Sequence, residues 1–192
     1  AIGRDALTAL TSGARNLALG YNAMDALTQG DDNIGIGVDA LGAMAATDGN
    51  DKNIAIGNYA LANAGASSNV ASDNIVIGYS AGVQVTTGDG NVGIGNYALD
   101  ELTTGNYNTA LGYAALHQMD GGEEHMTAVG YNAGDAADGN TTCTFIGSNT
   151  DPNTAGTDNE TVIGYNATGA GGTNTVTLGN ASVTAVYMAE DS

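Results

Sequence analysis

The residues best able to hold a ligand or metal in this chain are acidic turns, two histidines, one cysteine and a spaced set of tyrosines. Acidic turns occur at Gly30-Asp31-Asp32-Asn33, Asp48-Gly49-Asn50-Asp51 and Gly88-Asp89-Gly90-Asn91. Calcium takes oxygen ligands from loops of this composition. Asp, Asn and Gly are also ordinary turn formers, and the Gly-Gly-x-Gly-x-Asp nonapeptide of calcium β-rolls is absent. No cofactor is therefore expected, with calcium as the one open case. His117 and His125 flank Glu123 and Glu124, but without the fixed ligand spacing of a zinc site they read as an exposed loop. Cys143 is the single cysteine, so no intrachain disulfide can form; in a strand it reads as a buried spectator thiol. The neighbours Asp100 and Glu101 point different ways. No nucleophile–base–acid set stands out, and no phosphate-binding glycine loop opens a helix, so no catalytic residues and no enzymatic activity are expected.

Tyrosine directly follows a recurring glycine at Tyr21, Tyr79, Tyr113, Tyr131 and Tyr165, and sits one residue later at Tyr59 and Tyr97. These phenols form one column if the glycines stack. Such a column is a candidate surface for glycans or a partner. The reading preferred is a corner in which each ring packs over an edge while its hydroxyl meets water.

The elements that must position these residues are repeats. Gly3, Gly20, Gly37, Gly57, Gly78, Gly95, Gly112, Gly130, Gly147, Gly164 and Gly179 each follow Ile, Leu or Val. Most intervals are 17 residues, and self-similarity at a fixed short period marks a stacked architecture. Each repeat reads Asn-(Ile/Thr)-(Ala/Gly)-Ile-Gly, then about eight polar residues. β-Branched residues bounded by Asn and Gly predict a short strand. The fold expected is mainly β: a parallel β-solenoid or β-roll of about eleven coils over residues 1–179, with a terminating segment at 180–192. A rod of that length measures on the order of 50 Å. The chain opens in mid-strand at Ala1-Ile2-Gly3, which reads as a fragment truncated at its N-terminus.

Side chains alternate along a strand. The large aliphatic column before the glycine (Ile36, Ile56, Ile77, Ile94, Leu111, Ile146, Ile163) is expected to be the structural core. The residue before it is small (Ala18, Gly35, Ala55, Gly93, Ala110, Ala128) and is expected to face a closely approaching neighbour chain. A strand apolar on both faces is normally covered on both, so the expected particle is a closely packed or intertwined homotrimer; a lone solenoid with the small column facing solvent is the alternative. Asn16, Asn33, Asn53, Asn74, Asn91 and Asn108 lie four residues before the glycine and predict a stacked amide ladder, or else local turn bonds. Apolar residues spaced by three after the glycine, such as Leu99 and Leu102, fit either a single helical turn or a second strand.

The net charge of −18, with only Arg4, Arg15 and Lys52 positive, excludes nucleic acid as a partner and disfavours anionic membranes. No run of about 20 apolar residues is present, so no membrane insertion by a helix is expected.

The units Asn53-Ile54-Ala55-Ile56-Gly57-Asn58-Tyr59-Ala60-Leu61 and Asn108-Thr109-Ala110-Leu111-Gly112-Tyr113-Ala114-Ala115-Leu116 resemble the head repeats of trimeric YadA-like adhesins and related phage tail fibre repeats. The resemblance covers about residues 1–180, with a step of 17 where adhesin heads step near 14. It implies a trimeric extracellular fibre, on a virion or a cell surface: a tail fibre shaft or receptor-binding region, or a bacterial adhesin head. Its partners would be itself and a surface receptor or glycan. The stretch from Leu178 to Tyr187, ending at Ser192, looks like the closing segment of such fibres. A monomeric ice- or glycan-binding solenoid would need an outward threonine array. The column Thr109, Thr127, Thr144, Thr161 lies on the aliphatic face expected to be inward, which speaks against it.

Overall fold

A computed structural model describes residues 1–44, 49–66 and 70–186. The Asp48 end of one acidic turn and residues 187–192 of the expected terminating segment lie outside the described residues.

Among the described residues, ten three-residue strands stack in chain order as one all-parallel sheet. They are β1 Leu17–Leu19, β2 Ile34–Ile36, β3 Ile54–Ile56, β4 Ile75–Ile77, β5 Val92–Ile94, β6 Thr109–Leu111, β7 Thr127–Val129, β8 Thr144–Ile146, β9 Thr161–Ile163 and β10 Val176–Leu178. Every pair is in strict register, Ile36 beside Ile56, Ile94 beside Leu111, Ile146 beside Ile163. Ile2 adds an isolated parallel bridge to Leu19. The architecture is a β-solenoid with one strand per coil.

The glycine column is enforced by the rise between coils. Gly95 has φ +140°, and a Cβ there would lie 2.1 Å from the carbonyl oxygen of Gly112 in the next coil. The same clash recurs at Gly37 and Gly130 with the next column members. Any larger residue would both strain the backbone and wedge the coils apart.

The two faces of the strands are the reverse of the expectation. The middle residue of each strand from β1 to β9 is fully buried: Ala18, Gly35, Ala55, Val76, Gly93, Ala110, Ala128, Phe145, Val162. The columns on either side point outward. Ile36, Ile56 and Ile77 are half-buried, while Ile94, Leu111, Ile146 and Ile163 are 36–41 % exposed. These seven residues are not the core of the chain. The cause is the width of the coil. Ala, Leu and Met from the segment after each glycine (for example Ala98, Leu99 and Leu102, or Ala115, Leu116 and Met119) fill the interior from the opposite side. The small column therefore faces the chain's own interior, and the larger middle residues Val76 and Phe145 fit where the facing turn supplies a glycine, Gly82 and Gly134.

Nor, among the described residues, do the segments after the glycines form helical turns, apart from Ala66, which is in a 3₁₀ turn. In the coil of Gly95, Tyr97 and Leu99 have φ of 60° and 57°, in the left-handed region. The three-residue spacing is that of turns closed by i→i+3 bonds, such as Leu27 N–H to the Met24 carbonyl (3.2 Å) and Ala64 N–H to Leu61 (3.1 Å). A left-handed Leu is costly in isolation. Here it turns the side chain into the interior, and burial of Leu41, Leu61, Leu99 and Leu116 offsets the strain.

The asparagine ladder does form. Asn91 N–H donates to Asn74 Oδ1 (2.9 Å), while Asn91 Nδ2 donates to the Gly105 carbonyl (2.9 Å) and to Asn74 Oδ1 (3.1 Å). Asn33, Asn53, Asn74 and Asn108 repeat the pattern, and Asn16 starts it. Where asparagine ends, sulfur continues the column: Cys143 N–H points at Met126 Sδ (3.4 Å) and Glu160 N–H at Cys143 Sγ (3.2 Å). Cys143 is buried, as expected, and burial pushes its thiol pKa up.

Candidate functional site

The tyrosines make the most developed surface feature. Tyr59, Tyr79, Tyr97, Tyr113 and Tyr131 form a continuous run, with ring centroids 5.9, 5.6, 5.6 and 5.5 Å apart. The first three contacts are edge-to-face, and Tyr113 lies parallel to Tyr131 (12°). The run draws on two adjacent columns. Tyr59 and Tyr97 stand two residues after their glycine, and there Asn58 and Asn96 take the first position and accept from Val38 and Tyr79 N–H of the preceding coil. Tyr21 and Tyr165 stand outside the run. Arg4 covers the ring of Tyr21 at 5.7 Å, and Tyr165 is among the most exposed apolar side chains.

Beside the run lies a column of ionisable groups that the sequence alone did not group. Asp100, His117 and Asp135 occupy equivalent positions in three successive coils. His117 Nε2 is 3.5 Å from Asp100 Oδ2, and its Nδ1 is 3.4 Å from Asp135 Oδ1. Burial raises both aspartates above the ordinary carboxylate range, against a smaller opposing pull from His117. A common offset of five from Gly95, Gly112 and Gly130 is the signal that would have found them. His125 is elsewhere, stacked on Tyr107 at 5.4 Å, so the two histidines do not share a loop site.

Between the two columns runs an open cleft of about 300 Å³ lined by Tyr97, Tyr113, Ala114, His117, Gln118, Tyr131, Asn132 and Asp135. Gln118 Nε2 donates to Asp135 Oδ2 (3.3 Å). Burial, followed by its neighbours Tyr79 and Tyr113, raises the Tyr97 phenol above its usual value.

The acidic turns have a local task. Asp31 Oδ1 accepts from Ala14 N–H (2.7 Å), Asp51 Oδ1 from Asp31 N–H (2.7 Å) and Asp89 Oδ1 from Ser72 N–H (2.7 Å), each reaching the preceding coil. A carboxylate cluster forms instead at Asp120, Glu123 and Asp138, whose oxygens lie within 4.8 Å of one another. Buried Glu123 already accepts from Gly121 and Gly139 N–H, and Asp120 raises the pKa of Asp138. These are the side chains that could hold a divalent cation.

Compared with protein families, curated proteins and solved structures, the chain matches none. No helix of the described residues is long and apolar enough to cross a membrane.

Proposed function

We propose that this chain is a structural and adhesive segment of a surface fibre, in which three copies pack their outward sheet faces about a common axis. The shaft or receptor-contacting region of a phage tail fibre fits best, and the head of a bacterial trimeric adhesin is the nearest alternative. The carrying observation is the outward strip of the sheet. Leu19, Ile36, Ile56, Ile77, Ile94, Leu111, Val129, Ile146, Ile163 and Leu178 form an unbroken aliphatic column over ten coils. None of the strand positions carries a charge, in a chain of net charge −18. Along this strip like-charged rods can meet without bringing carboxylates together, and a continuous exposed apolar patch of this kind marks an interface. The rest of the acidic surface keeps assembled fibres apart.

Sedimentation equilibrium tests the reading. It expects a particle of three chain masses, and a stable 19.0 kDa species at micromolar concentration sinks it.

One observation favours a second reading, an ice-binding solenoid acting as a monomer. Thr109, Thr127, Thr144 and Thr161 stand outward in register, paired strand to strand. That removes the objection that the threonine column is inward. Thermal hysteresis from a monomeric sample would favour this reading over the fibre.

A further inference from the structure

The cleft beside Tyr113 has walls, a floor and an unbalanced set of polar groups, and these specify a ligand. We propose that it binds a protonated alkyl amine, the chemical group at the end of a lysine side chain.

Four observations converge. The floor is Ala114. The column two residues after each glycine reads Tyr59, Ser80, Tyr97, Ala114, Asn132, so a small side chain here follows the ring of Tyr97 and leaves space beside Tyr113 and Tyr131. Second, the polar wall is negative: Asp135 lines the cleft, Asp100 lies behind His117, and Glu101 adds to the field at Asp135. The chain has no Lys or Arg after Lys52, so apart from the His117 imidazole, when protonated, it supplies no cation of its own to this region. Third, the unmatched groups are acceptors. Asn132 Oδ1, of the cleft lining, has no hydrogen-bond partner, and neither has Asp100 Oδ1 behind His117. An ammonium brings three donors and no acceptor, which complements this set, whereas an anion would add acceptors to acceptors. Fourth, at its other end the chain holds a cation against a repeat tyrosine and a carboxylate. Arg4 sits over Tyr21 at 5.7 Å and pairs with Asp5 at 3.1 Å. Tyr21, Tyr113 and Tyr131 hold the same place in their repeats. The cleft offers the same two kinds of group, tyrosine faces and a carboxylate, although Asp135 stands five residues after its glycine and Asp5 two. Attraction of a cation to tyrosine faces and to a nearby carboxylate is modest at exposed sites, so weak binding is expected.

The test is an NMR titration of the intact protein in its native assembly with Nα-acetyl-lysine methylamide, read on the Tyr113, Tyr131 and His117 ring signals. The expected result is saturable shifts that vanish when the ε-amine is acetylated, that weaken with added salt, and that need about fivefold more ligand in Asp135→Asn. Tyr131→Leu should weaken binding similarly, while Tyr165→Leu, in the same repeat position but outside the run, should not. Melting curves of each variant keep loss of binding separate from loss of fold, and Gln118→Ala serves if Asp135→Asn melts early. n-Butylammonium distinguishes a free amine from a peptide: equal affinity means the amine alone is read, and tighter binding of the lysine derivative means its backbone is read too. Failure to saturate by 50 mM, equal binding of the acetylated ligand, or saturable binding of glucose with none of the amine overturns the proposal. None of these outcomes depends on how many chains form the particle.

Discussion

Phe145 and Gly134 share one space. A Cβ on Gly134 would lie 2.8 Å from Phe145 Cδ2 and 2.8 Å from Leu116 Cδ2. The same trade appears in the opposite sense at Gly93, where a Cβ would meet Leu99 Cδ1 at 3.0 Å. Each coil thus holds a fixed volume, divided between the strand's middle residue and the turn facing it. Phe145→Ala should destabilise the chain by about 3–5 kcal/mol, as buried Phe truncations do. Gly134→Ala should also destabilise it, through both the clash and a φ of +63°. Urea denaturation measures both, and an unchanged midpoint for Phe145→Ala would show that the coil does not need the ring.

Ile94 and Ala110 separate the two faces by experiment. Ile94→Asp puts a carboxylate on the outer strip. It should leave the far-ultraviolet circular dichroism of the chain intact and, in the proposed fibre, shift the particle toward single chains, because one charge per copy would be brought together at the proposed axis. Ala110→Asp puts the same group into the closed interior, where an unpaired charge is costly, and should abolish folding of the neighbouring coils. If Ile94→Asp unfolds the chain as Ala110→Asp does, the strip is not an outer face.

That reversal marks the boundary of what the residues alone disclose. The repeat, the parallel stacking and the amide ladder were legible, because period, strand signal and the asparagine column are one-dimensional facts. Alternation at Thr109-Ala110-Leu111 divides a strand into two faces, yet it does not say which is inside. The deciding quantity is the width of the coil. That depends on left-handed turn residues such as Leu99 and Leu116, whose bulk gives no hint of a positive φ. The Tyr run was half legible. Tyr59 and Tyr97 join it from a neighbouring column, beside Asn58 and Asn96, which bond the backbone of the preceding coil. The Asp100–His117–Asp135 column escaped notice because its members are ordinary surface types separated by whole coils.

The amide ladder predicts a graded series at Asn91. Its side chain accepts from Asn108 N–H (2.9 Å) and donates to the Gly105 carbonyl (2.9 Å), all inside a buried column. Asn91→Leu leaves both groups without partners and should cost about 2–4 kcal/mol. Asn91→Met restores an acceptor of the kind Met126 offers to Cys143 N–H, though not the donor, and should fall between Leu and the parent. Chemical denaturation ranks the three. Equal losses for Leu and Met would mean that the sulfur contacts further along the column contribute nothing.

Stability should rise as the solution is acidified from neutrality toward the carboxylate range. Asp100, Asp135 and Asp151 all have their pKa raised from 3.8, in each case chiefly by burial. A raised folded-state pKa means that the native chain binds these protons more tightly than the unfolded chain. Burying the charged carboxylates therefore opposes folding at pH 7, and that opposition is relieved as pH falls through the folded-state values, complete once pH drops below 3.8. Asp32, held low by Arg15, acts in the other direction, but that pair is exposed and contributes little. Relief of self-repulsion in a chain of net charge −18 adds to the trend. Melting temperatures between pH 7 and about 4.5 should climb, and the triple variant Asp100→Asn, Asp135→Asn, Asp151→Asn should climb less steeply. A melting temperature that falls across that interval in the parent would show that these carboxylates are better stabilised when charged in the native coil than in the open chain.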